Sequence, residues 1–131
     1  MSRGLLDTSV LVATESGRPL NFSLLPDESS ISPITIGELR AGVLAATTLE
    51  TKALRTSTLL AADGFELLPI DEAVANAWAL LRTHLAEAGR RLNVNDLWIA
   101  ATAVANRIPV YTQDDDFQPL AGAPGLEVIR V

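Results

Sequence analysis

The chain has 131 residues, 48% of them hydrophobic, which suits one globular domain spanning residues 1–131. Its formal net charge is −6, and it contains no cysteine and one histidine. Disulfides and zinc sites of the usual kind are thereby excluded, a purely electrostatic nucleic-acid binder is disfavoured, and a metal-dependent one is not, since bound cations invert the local charge.

The elements are read in chain order. "RGLLD" is a short apolar run ending in Asp7 and predicts a buried strand. "TSVLVATE" predicts a helix with Thr8 or Ser9 near its N-cap. "LLDTSVLVA" is too short and too interrupted to span a membrane, and the start of the chain lacks a signal-peptide pattern. Residues 15–30 carry two prolines and a glycine and read as a connection, with a short helix around Leu20–Leu25. "SSIS" predicts a weak strand. "PITIGELRAGVLAA" predicts a helix whose Thr35-x-x-Glu38 matches a capping box. Residues 48–63 predict another helix, and "GFELLPI" a strand up to Pro69. In "DEAVANAWALLRTHLAEAG", Val74, Trp78, Leu81 and Leu85 recur at helical spacing, with Gly89 as the stop. "VNDLWIAATAVANR" is apolar nearly all round, so it predicts a buried helix begun by Asn95 or Asp96. "IPVYT" and "LEVIRV" predict the last strands, and Phe117 pins the turn between them to the core.

Strands that alternate with helices imply an α/β fold: a three-layer α/β/α sandwich around a mostly parallel sheet. In such sheets the working crevice lies beyond the carboxyl ends of the strands. Asp7 and Asp114 follow strands, while Glu38 and Asp96 lie near helix starts, so all four acids are expected at one edge. Each has an ordinary reading beside the functional one. Asp7 and Asp96 suit N-caps, Glu38 suits the capping box, and "DDD" at 114–116 suits a charged turn. Their joint placement favours a site for a hard divalent cation, Mg²⁺ or Mn²⁺, which takes oxygen ligands. Within the aspartate run, Asp114 is expected in the pocket, Asp116 beside it if the segment stays extended, and Asp115 towards solvent.

"LLDTSVLVA", "ITIGELRAG", "LNVNDLWIAATA" and "PVYTQDDDF" resemble, in order and spacing, the motifs of the PIN domain, and more narrowly the VapC-type toxins of bacterial toxin–antitoxin pairs. The resemblance covers essentially the whole chain. It implies a Mg²⁺- or Mn²⁺-dependent endoribonuclease, cytoplasmic and bacterial, leaving 5′-phosphate and 3′-hydroxyl ends. It also implies a homodimer and a small cognate antitoxin, with residues 34–63 the first place to seek the antitoxin's surface. Carried over by motif, Asp7, Glu38, Asp96 and Asp114 match the acidic metal-binding and catalytic set, and Asp116 a further acidic position. Thr8, Ser9 and Thr112 match small hydroxyl residues near the site, and Asn95 a polar residue beside the third acid.

Arginines are expected to meet the RNA phosphates: Arg90 and Arg91 in "GRRLNVND" and Arg40, with Arg3, Arg82 and Arg107 as further candidates. Trp78 and Trp98 read as core residues, and His84 as a residue of a helix's polar side. A phosphotransfer receiver or a dehalogenase-like phosphatase also places an aspartate after its first strand. Both need a late lysine, whereas the one lysine here is Lys52. The other alternative is a non-catalytic PIN-like scaffold, against which the full acidic set argues.

Overall fold

The computed structural model describes residues Met1–Val131. A parallel sheet of five short strands carries the fold, in the order β3-β2-β1-β4-β5. They are β1 (Arg3–Leu6), β2 (Glu28–Ile31), β3 (Glu66–Leu67), β4 (Val110–Thr112) and β5 (Val128–Arg130). Five α-helices connect them: α1 (Thr8–Ser16), α2 (Pro33–Ala45), α3 (Leu49–Ala61), α4 (Glu72–Ala88) and α5 (Val94–Asn106). The expected short helix before β2 is a single 3₁₀ turn, Phe22–Leu24.

Alternation along the central strands sorts side chains to two cores. Leu5 and Val110 face one side and pack with Val74, Leu81, Ile99 and Leu120, which belong to α4, α5 and the turn after β4. Leu6, Ile31 and Tyr111 face the other, against Val10, Leu11, Leu39 and Ala62. Full burial of each large aliphatic chain here contributes about 1.5–3 kcal/mol. Trp78 and Trp98 stack on one another at 5.1 Å between α4 and α5 and pack against the first core. Arg82 lies over the Trp78 ring.

Several boundaries differ from expectation for local reasons. β3 has only two residues, because Pro69 removes a donor and the edge position leaves Glu66 and Leu67 exposed. The Thr35–Glu38 capping box does not form. Pro33 sits at the first helical position, so Ser32 caps α2 by accepting from Ile34 N at 3.1 Å. Neither Asn95 nor Asp96 caps α5; Asn93 does, accepting from Asn95 N at 2.9 Å. Asp7 holds the N-cap position of α1 without a side-chain cap bond. The ordinary readings of Glu38 and Asp96 as caps therefore fail, while Asp7 keeps the cap position with its carboxylate turned to the Ser9 and Thr112 side chains.

The strand order reverses at β1. The chain leaves β1 towards β2 and β3, then returns on β1's other side as β4 and β5. Beyond the carboxyl ends of β1 and β4 no connection crosses, and this is where open parallel sheets keep their crevice.

Candidate active site

Asp7 directly follows β1, and its backbone N–H donates to Tyr111 O at 2.9 Å, which locks it beside the end of β4. The residue is buried, 5% exposed. Its Oδ2 accepts from Ser9 Oγ at 2.6 Å and from Thr112 Oγ1 at 3.1 Å, and its Oδ1 accepts no hydrogen bond. Burial pushes its pKa up, the Ser9 and Thr112 bonds pull it down, and the Asp114 charge pushes it up again.

Thr112 ends β4 and links two acids. Its Oγ1 stands 3.1 Å from Asp7 Oδ2 and 3.2 Å from Asp114 Oδ1. The segment after it is not extended. Asp116 N donates to Asp114 Oδ1 at 3.2 Å, which closes a turn, and Phe117 is buried as expected. Asp115 turns away from the pocket to an exposed ion pair with Arg130. Glu38, on α2, accepts from Thr8 Oγ1 at 2.7 Å, and Thr8 Oγ1 also lies 2.9 Å from the buried Thr35 Oγ1.

Asp96, in the first turn of α5, is the centre of the group. Its carboxyl is pushed up to about 7, by burial first and then by the charges of Asp7, Asp116, Glu38 and Asp114. Every acid of the expected set thus acts on this one carboxyl. Partial desolvation, then Asp114, also pushes Asp116 up, although Asp116 itself is exposed. The set is gathered but not clenched: no three of its carboxylates form a ready-made cation cage. The donors present suit a hard cation, since all are oxygens.

The rim differs in part from expectation. Arg90, Arg91 and Arg40 are exposed, with the first two in the loop that leads into α5 and Arg40 on α2. Asn95 and Glu38 line a cleft of about 460 Å³ between α2 and α5. Arg3 pairs with Glu28 and Glu66 at the opposite, amino end of the strands, and Arg107 terminates α5 at that same end in the left-handed conformation. Neither can meet RNA at the acids. His84 Nε2 lies 3.4 Å from Ala121 O, away from the acidic cluster.

Sequence reasoning missed three supports. Thr35 was read as a cap and is a buried hydroxyl beside Thr8. Gln113 is buried, donates its side-chain amide to Pro19 O and Val131 O, and its backbone N–H to Ser9 Oγ. Arg130 reaches the aspartate turn. A polar residue at a strand end was the available signal for Gln113; the strand pairing that brings Arg130 close has no local signature.

A family model for the PIN domain matches residues 4–123. The chain is 54% identical over 128 residues to Ribonuclease VapC5 of Mycobacterium tuberculosis, covering 98% of this chain and 95% of that protein. It is 47% identical over 129 residues to Ribonuclease VapC4 of the same organism, covering 98% and 97%. Among solved structures, that of VapBC-5 from M. tuberculosis, a member of the VapBC family of toxin–antitoxin systems, matches with a TM-score of 0.93. There the identity is 49% and both chains are covered completely.

Proposed function

This chain belongs to the PIN-domain family, and from that premise we propose that it is an endoribonuclease of the VapC toxin kind that cleaves RNA with a divalent cation. Mg²⁺ or Mn²⁺ is the cofactor of this reading, held by Asp7, Glu38, Asp96 and Asp114, with Asp116 alongside. The observation that carries it is the convergence of four acids on Asp96 at the sheet's switch point. When bound, such an ion supplies Lewis-acid activation of water and neutralises charge at the phosphate.

The chain's own residues prepare that chemistry. Ser9 and Thr112 hold the buried Asp7 carboxylate in one orientation. Thr8 does the same for Glu38, and Thr112 ties Asp114 into the same frame. Asp96 is pushed up to about 7 by burial and by the surrounding carboxylates, and a cation held among them would offset that crowding and keep it ionised. Arg90, Arg91 and Arg40 are the residues proposed to steer RNA phosphates over the acids.

A cognate antitoxin is the second partner, as in the VapBC systems this chain matches. Its proposed seat is the apolar cleft of about 230 Å³ lined by Val10, Leu11, Leu20, Phe22 and Phe65, between α1 and α3. Exposed Leu44, Leu49, Leu54 and Leu60 extend apolar surface along the α2–α3 pair. A second copy of the chain is the other partner of this reading. No helix is long and apolar enough to cross a membrane.

The test is cleavage of cellular RNA by the purified chain in Mn²⁺, with the new 5′ ends mapped. Asp96→Asn should lower the rate by roughly 100-fold or more. Equal cleavage by the variant would remove the assigned site.

A further inference from the structure

The acidic pocket has two flanks, and only one of them is covered by the arginines already described. Opposite the cleft of Glu38 and Asn95, a cavity of about 320 Å³ opens between β5 and the turn after β4. Asp114 forms part of its wall, so it is continuous with the acids. Leu120, Leu126 and Val128 give it apolar lining, and Asp115 and Arg130 stand at its mouth. We propose that this cavity seats the nucleoside next to the scissile phosphate and that Arg130 binds the phosphate that nucleoside carries. The proposal rests on the ribonuclease reading and extends it.

Strand pairing places the arginine. Arg130 is the register partner of Thr112, the residue bonded to both Asp7 and Asp114. Paired strands lie about 4.7–4.9 Å apart and send registered side chains to the same face. Arg130 therefore rises one strand away from the acidic pair, a separation that an RNA backbone step can bridge.

Its present partner is a placeholder. The Arg130–Asp115 pair is exposed on both sides, 58% and 69%, and exposed pairs are readily exchanged. A phosphate diester accepts the guanidinium fork in the same two-pronged way as a carboxylate. Asp115 thus holds the guanidinium beside the cavity and can release it to substrate. The lining is mixed, with Phe117 added to its apolar side and Asp114, Asp115, Gln118 and Arg130 on its polar side, which suits a nucleoside with one apolar face and polar edges.

The experiment compares wild type, Arg130→Ala, Arg130→Lys and Val128→Trp, the last to fill the cavity. Cleavage of a single-stranded RNA in Mn²⁺ gives KM and kcat, and RNA binding is measured across a salt series on the Asp96→Asn background. Circular dichroism melts check that each variant is folded. Arg130→Ala should raise KM about 3- to 10-fold with kcat changed less than twofold. It should also reduce the salt slope of binding by about one. Arg130→Lys should recover part of the loss, and folded Val128→Trp should raise KM similarly. Unchanged KM and salt slope in Arg130→Ala, with wild type cleaving normally, would overturn the subsite and leave the ribonuclease reading intact. A wild type that binds RNA through Arg130 yet cleaves nothing would do the reverse. Loss of antitoxin binding with RNA kinetics untouched would assign the cavity to a peptide and also overturn the proposal.

Discussion

At the scale of single residues, the site depends on a few hydroxyls and on carboxyls that burial and one another push up, Asp96 above all. Thr112 has one proton and two carboxylate neighbours, so it fixes Asp7 and Asp114 relative to each other more than it neutralises either. Asp96 holds its proton up to about pH 7 in the fold and only to about 4 when unfolded. Between those values the folded chain binds more protons, so the stability this group confers is complete below about pH 4 and is lost as pH rises to about 7. The metal-free melting temperature should therefore fall from pH 5 to pH 7.5. Asp96→Asn should flatten the trend and melt about 2–6 °C higher at pH 7.5; parallel curves for the two proteins would refute the assignment. These acids were legible in the sequence because each follows a strand or opens a helix. Their alternative as caps was equally legible, since caps and ligands draw on the same residue types. Only the observed cap partners, Ser32 and Asn93, separate the two.

At the scale of elements, β1 and β4 set the site, and their close approach makes a demand on Gly4. A methyl group added there would overlap the buried ring of Tyr111 and press on Pro26. Tyr111 precedes Thr112, so relief of that overlap must move the end of β4. Gly4→Ala should cost about 1–3 kcal/mol of stability in urea unfolding, the usual range for overpacking. It should also lower cleavage in the protein that remains folded; a neutral effect on both would show that β4 is not held at this point. The helices were readable from spacing, and Gly89 ends α4 with φ +67° as its position suggested. The strands were harder. Two or three residues at a sheet edge carry too little alternation to fix their ends, as β3 and β5 show. Residues 114–116 do not stay extended, because Asp114 captures the N–H of Asp116 and folds the segment into a turn.

At the scale of the whole molecule, the ribonuclease reading asks a chain of net charge −6 to admit a polyanion to its most acidic point. The proposed cation would resolve that conflict and should appear as stability. Mn²⁺ at 100 times its Kd should stabilise the fold by about 2.7 kcal/mol at pH 7.5, and less at pH 5.5, where the Asp96 proton competes. The shift should shrink in Asp7→Asn; an equal shift would place the ion elsewhere. The sheet order turns a fold-level fact into a chemical one, because the pairing of Leu6 with Tyr111 puts Asp7 next to Thr112. The spacing of Asp7 from the end of β4 is thus set by strand register, and Thr112 carries it on to Asp114. A lineage carrying this site can rewrite the connection at 17–27 or lengthen its loops. It cannot gain or lose one residue within β1 or β4, because such a slip turns the carboxylate to the other face of the sheet. The sheet acts as a ruler in the inheritance of the site, and insertions should be tolerated in the connections and not along its two marked edges.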